Sequence, residues 1–147
     1  VTVIETNIDD MNPQFYDYVL ERLLAMNVVD VFLSPILMKK NRPATLLTVI
    51  CSPDILSSVT EFLLKETTTL GLRWHEEERA RAEREIISLQ TRYGKIRFKL
   101  ARWEGKVINL SPEYDDCKKA AFKKGVPLKE VFEGAKKVAM ASLKFRA

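Results

Sequence analysis

Three short segments of this sequence concentrate the side chains that can do chemistry. Asn7, Asp9, Asp10 and Asn12 offer hard oxygen ligands. Lys39, Lys40 and Arg42 offer cations, and Thr67, Thr68 and Thr69 offer consecutive hydroxyls, with Arg73 just beyond. Mg²⁺ and Mn²⁺ take one or two carboxylates and fill the rest of their shell with water and phosphate oxygens. Lysine neutralises phosphate as a point charge, and arginine grips it through paired N–H donors. The three segments together suit a metal–polyphosphate ligand. Each also has a plainer reading: acids favouring a helix N-terminus, a solvated or edge-protecting lysine turn, and a threonine strand entry or cap. The functional reading therefore depends on whether the fold brings the three segments together.

The elements that must position them are readable from pattern. Val1 to Thr6 is β-branched and apolar, a strand. Asn12-Pro13 supplies a cap and a proline at the first helical position, and Phe15, Val19, Leu20, Leu23 and Leu24 share a helical face. Val28 to Met38 reads as a second strand, 39–43 as a polar turn and Ala44 to Cys51 as a third strand. Ser52-Pro53 repeats the cap-plus-proline signal before Ile55, Leu56, Val59, Phe62 and Leu63, and a fourth strand starts at Leu72. This order, β-α-β-β-α-β, is the ferredoxin-like split βαβ pattern. Right-handed crossovers make the first and second strands parallel, and likewise the third and fourth. The three polar segments then fall at one edge of the sheet.

The second half reads as a small antiparallel β-meander with two helices. Ile86 to Thr91 and Lys95 to Trp103 form a hairpin around Tyr93-Gly94, and Val107 to Leu110 follows. Ser111-Pro112 is expected to start a helix ending at Gly125, with Glu113, Asp115 and Asp116 in its first turn. Pro127 opens the last helix. The expected class is α+β, with a ferredoxin-like subdomain over residues 1–84 and the meander with two helices, packed on it, over 85–147.

Composition narrows the function classes. Lys and Arg total 24 against 20 Asp and Glu, a small basic excess that argues against a nucleic-acid partner. No apolar run reaches the roughly 18 residues of a membrane span. Cys51 and Cys117 have no paired spacing and read as reduced thiols of a cytoplasmic protein. His75 is the only histidine and reads as a plain strand residue, which makes a histidine-rich transition-metal site within this chain unexpected. Arg73, Arg79, Arg81 and Arg84 alternate with glutamates, as a salt-bridged surface would. There is no Gly-rich phosphate loop, CxxC pair or nucleophile triad. A first residue, Val1, that already lies in a strand suggests a fragment of a longer chain.

Glu5 through Pro13, Met38 through Pro43, Thr67 through Arg73, Ser111 through Cys117 and Gly125 through Val131 together resemble, in order, the C-terminal region of the LarC family. These are the pyridinium-3,5-bisthiocarboxylic acid mononucleotide nickel insertion proteins. The resemblance implies a CTP-dependent nickel insertase of the lyase class. Such an enzyme places nickel in a dithiolated pyridinium mononucleotide to make the nickel-pincer cofactor of lactate racemase, and needs Mg²⁺ or Mn²⁺. It also implies that this region binds CTP and forms a homo-oligomer, a trimer or hexamer. A histidine-rich N-terminal domain, missing here, would hold nickel, so the chain alone is expected to be incomplete for nickel insertion. The candidate roles read from the loops are Asp9 and Asp10 for the metal, directly or through water, Lys39, Lys40 and Arg42 for the triphosphate, and Thr67, Thr68, Thr69 and Arg73 for phosphate or ribose contacts. Asp115, Asp116 and Lys118 either join the site or simply serve their helix. The alternative function is a ferredoxin-like assembly or regulatory module without chemistry of its own.

Overall fold

The computed structural model describes residues 1–144. The chain divides into two compact units, Val1–Arg79 and Ala80–Ala147, each with its own hydrophobic core. No helix of the described residues is long and apolar enough to cross a membrane.

The first unit runs β1 (Thr2–Ile8), α1 (Phe15–Ala25), β2 (Asp30–Met38), β3 (Arg42–Cys51), α2 (Leu56–Glu66) and β4 (Arg73–Glu76). The strands form one sheet in the order β2-β3-β1-β4, and every neighbouring pair is antiparallel. It follows that β1 and β2 run one way, and β3 and β4 the other. This is the ferredoxin-like arrangement expected from the sequence, within the expected α+β class. Thr2, Ile4, Thr6 and Ile8 of β1 point to the buried face, as period-two alternation requires. Ile4 meets Leu47 and Val49 of β3, Val19 and Leu23 of α1, and Val59 and Leu63 of α2 in one cluster. Each such aliphatic side chain, fully buried, contributes about 1.5–3 kcal/mol.

One helix start in this unit differs from expectation. Asn12 does not cap α1. Its Oδ1 accepts the Gln14 N–H at 3.1 Å and its carbonyl accepts the Phe15 N–H at 3.0 Å. It thereby closes a separate turn, and the helix begins at Phe15. Ser52-Pro53 does act as cap and first helical residue, but of a single 3₁₀ turn, Pro53–Ile55, that runs on into α2 at Leu56.

The second unit is the meander β5 (Glu83–Thr91), β6 (Gly94–Trp103) and β7 (Lys106–Pro112), followed by α3 (Tyr114–Lys124) and α4 (Leu128–Lys144). Ile96, Phe98 and Leu100 of β6 point inward onto Cys117, Ala121, Val131, Ala135 and Ala139. Ser111-Pro112 does not start α3. Both residues end β7, where Pro112 pairs with Phe98, and Glu113 is the cap. β7 lies at the edge of its sheet, and a terminal edge position tolerates the missing proline N–H. Gly125 ends α3 in the left-handed region at φ 62°, as a C-terminal glycine commonly does.

Candidate functional site

The strand directions decide where the polar segments lie. The C-terminal ends of β1 and β2 and the N-terminal ends of β3 and β4 share one sheet edge. Ile8 pairs with Thr45 at the end of β1, Met38 pairs with Arg42 at the β2–β3 turn, and Glu5 pairs with Arg73 at the start of β4. The three connections that leave this edge are the three chemically pointed segments.

Their side chains touch. Arg42 Nη1 donates to Asp9 Oδ2 at 3.1 Å, joining the β2–β3 turn to the β1–α1 loop. Thr68 Oγ1 donates to Asp10 Oδ1 at 2.5 Å, joining the α2–β4 loop to the same loop. Arg73 donates from Nε to Glu5 Oε2 at 2.9 Å and from Nη1 to Asn7 Oδ1 at 3.1 Å. The arginines stand outward, with Arg42 and Arg73 side chains 58% and 56% exposed against 23% and 25% for Asp9 and Glu5. Lys39 and Lys40 are exposed and have no ion pair among the described residues.

The three threonines divide by role. Thr67 Oγ1 donates to the Leu63 carbonyl at 2.6 Å and accepts the Thr69 N–H at 3.2 Å. Thr69 Oγ1 stands 2.8 Å from the Gly71 carbonyl and 2.5 Å from the hydroxyl of Thr6, and its single proton goes to one of the two. Thr6 is 1% exposed and also donates to the Gly71 carbonyl at 3.0 Å. Thr67 and Thr69 therefore shape the loop and staple it to β1, and Thr68 carries its hydroxyl to a rim carboxylate. The sequence offered Asn7 as a free oxygen ligand and did not single out Glu5, whereas the structure uses both to orient Arg73. The available signal was their shared parity on β1, which places both beside the strand that Arg73 opens.

No group of three or more His, Cys, Asp or Glu side chains stands in metal-holding geometry among the described residues. The rim instead offers Asp9, Asp10 and the Thr68 hydroxyl, all hard oxygens. That donor set fits a Mg²⁺ or Mn²⁺ ion that takes most of its shell from water and a phosphorylated ligand. His75 is half-exposed, 3.2 Å from Glu77.

In the second unit, Glu113 and Asp116 at the α3 start are engaged internally, Glu113 with Lys99 at 3.2 Å, while Asp115 is exposed. Asp116 accepts from Arg97 Nε and Nη2, both at 2.8 Å, and from the Arg97 N–H at 3.0 Å. The Arg97 guanidinium holds the Asp116 carboxyl down at about 2. Lys118 lies 6.0 Å from the Tyr114 ring centroid.

A family model described as nickel insertion protein matches residues 1–132. A pyridinium-3,5-bisthiocarboxylic acid mononucleotide nickel insertion protein of Thermotoga petrophila is 48% identical over 130 residues, covering 88% of this chain and 33% of that protein. A putative nickel insertion protein of Nostoc sp. is 46% identical over 136 residues, covering 89% and 32%. The chain thus spans about a third of the length of the curated relatives it matches. Among solved structures, the apo C-terminal domain of a cyclometallase involved in synthesis of the NPN cofactor of lactate racemase superposes with a TM-score of 0.87. It is 36% identical, and the match covers 91% of this chain and 92% of that one. A protein from Methanopyrus kandleri, 22% identical, shares the fold with a TM-score of 0.64, covering 90% and 81%.

Proposed function

The chain belongs to the nickel insertion protein family, and from that premise we propose that it supplies the metal–CTP site with which nickel is placed in a dithiolated pyridinium mononucleotide. The observation that carries this reading is the bonding of three loops to one another at one sheet edge: Arg42 to Asp9, Thr68 to Asp10, and Arg73 to Glu5 and Asn7. An arrangement of four cations, Lys39, Lys40, Arg42 and Arg73, around three carboxylates, Glu5, Asp9 and Asp10, suits a guest that brings both a divalent ion and several phosphates.

In this reading Asp9 and Asp10 hold Mg²⁺ or Mn²⁺, directly or through water, and Thr68 orients Asp10. Lys39, Lys40 and Arg42 take the triphosphate, and Arg73, fixed by Glu5 and Asn7, adds a preoriented guanidinium. Thr67 and Thr69 hold the loop in shape beneath them. The bound divalent ion neutralises phosphate charge and polarises phosphoryl oxygens. Nickel is the metal delivered to the product, and in this reading its ligands belong to another part of the full-length protein. A homo-oligomer, trimer or hexamer, working in the cytoplasm completes the proposal.

The direct test is calorimetric titration of the chain with CTP and ATP in the presence of Mn²⁺. Tighter binding of CTP, abolished by Asp10→Ala and weakened by Lys39→Ala, is the expected result. A flat titration at millimolar CTP sinks the reading. The competing reading, an assembly module without chemistry, draws on the apolar side chains Phe32 and Leu37 of β2, which are 44% and 67% exposed. It predicts an oligomer indifferent to nucleotide and to both substitutions.

A further inference from the structure

The charged groups of the rim are already bonded to each other across loops, and they are bonded unequally. Arg73 is held through two nitrogens by two acceptors that project from one regular strand, Glu5 and Asn7. Arg42 has a single side-chain acceptor among the described residues, Asp9, at 3.1 Å. It follows directly on Lys40 and Asn41, which both hold left-handed backbone conformations at φ 63° and 54°. One arginine is fixed, and the other is placed to exchange partners.

We infer that the Arg42–Asp9 pair is a latch coupling the two halves of the ligand, so that the divalent ion and the triphosphate bind together better than the sum of their separate affinities. The latch presupposes the metal–nucleotide site proposed above. A divalent ion arriving alone draws Asp9 away and leaves the Arg42 charge unpaired beside a second positive charge. A triphosphate arriving alone draws Arg42 away and leaves the Asp9 carboxylate facing phosphate. The metal–triphosphate complex replaces one pair by two: Asp9 turns to the ion and Arg42 to a phosphate. Such coupling is reciprocal, since each ligand raises the affinity of the other by the same factor. Its size is bounded by the worth of a pair whose arginine is 58% exposed. Exposed pairs of this kind correspond to at most about a fivefold change in a binding constant. The rim thereby discriminates against free nucleotide and against free metal, and selects their complex.

The test compares wild type, Arg42→Ala and Lys39→Ala, using paramagnetic resonance to follow Mn²⁺ alone and calorimetry to follow CTP with and without Mn²⁺. Both substitutions remove one positive charge from the same turn, and Arg42→Ala alone also releases Asp9. The expected result is that Arg42→Ala tightens binding of Mn²⁺ alone by about two- to fivefold, more than Lys39→Ala does. It also makes CTP affinity less dependent on Mn²⁺. The reciprocal variant, Asp9→Asn, is expected to tighten CTP binding in the absence of metal. All three positions lie in surface loops or at a strand end, and circular dichroism verifies that each variant folds. Equal Mn²⁺ affinities for Arg42→Ala and Lys39→Ala, with wild type still binding Mn²⁺ and CTP together, overturn the latch and leave the site standing. A wild-type chain that binds no Mn²⁺–CTP overturns both.

Discussion

Lys40 holds φ at 63° and Asn41 at 54°, and only the second is a residue that visits the left-handed region readily. A lysine there costs on the order of 1 kcal/mol relative to glycine. Retaining it makes sense if the ammonium is needed on that turn. Lys40→Gly is therefore expected to raise stability by up to about 1 kcal/mol in urea melts, while CTP affinity falls several-fold. Gain on both counts would show that the strain serves no ligand. The Asp116 carboxyl gives a second residue-level prediction. Its ionisation is held down from 3.8 to about 2 by Arg97, so its contribution to stability is complete above the unfolded value and lost as pH falls from about 4 through 2. Asp116→Asn is expected to cost roughly 1 kcal/mol at neutral pH, after allowance for the solvent screening of an exposed arginine. The gap to wild type should close in acid melts over that window. The candidate residues themselves were visible by type: paired acids, clustered cations, serial hydroxyls. What sequence could not separate was Thr68 from Thr67 and Thr69, because three identical neighbours differ only in the local direction of each hydroxyl.

Elements set those directions, and their inner faces were more readable than their ends. Val19 with Leu23 and Val59 with Leu63 are i, i+4 pairs, and both pairs are fully buried. Phe15 and Leu24, assigned to the same stripe, are 51% and 56% exposed, since the apolar run on α1 is wider than the surface the sheet covers. Helix starts were misread twice on one signature. Asn12-Pro13 and Ser111-Pro112 each precede a helix, yet those helices begin at Phe15 and Tyr114, whereas Ser52-Pro53 does cap a helical segment, a 3₁₀ turn that runs on into α2. Proline excludes a preceding helix, but a turn, a 3₁₀ segment or a strand end satisfies it equally well. Thr6 shows an element controlling the rim from below. Thr6→Val keeps the shape and removes both hydroxyl bonds to the α2–β4 loop, which is expected to cost about 1–2 kcal/mol. CTP binding should weaken although Thr6 touches no ligand, and unchanged binding would detach that loop from the site. Gly134 in α4 sets two effects against each other. Alanine gains about 1 kcal/mol in helix propensity, but its Cβ would stand 2.9 Å from the Tyr93 ring. That ring is buried and bonded through its hydroxyl to Glu130. Overpacking of this kind costs about 1–3 kcal/mol, so Gly134→Ala is expected to lower the urea midpoint.

At the scale of the whole molecule, the juxtaposition of the three loops required no side-chain detail. Each neighbouring pair in the order β2-β3-β1-β4 is antiparallel, so β1 runs parallel to β2 and β3 to β4, which leaves one edge from which all three loops depart. Residues about 60 positions apart, such as Asp10 and Thr68, meet for that reason. Every rim residue lies in the unit Val1–Arg79, whose core of Ile4, Leu47, Val49 and their helical partners belongs to it alone. A ligand held by those loops stabilises the state in which they are assembled. At a free concentration one hundred times its dissociation constant the gain is about 2.7 kcal/mol. Hydrogen exchange should therefore slow, on addition of Mn²⁺ with CTP, at residues 9–12, 39–42 and 67–73 and at the strand ends that carry them. The amides of β6 and α4, in the other unit, should exchange as before. Slowing concentrated in β6 or α4 would place the nucleotide elsewhere, and a uniform slowing would mean that the ligand's free energy is felt by the whole chain rather than by one sheet edge.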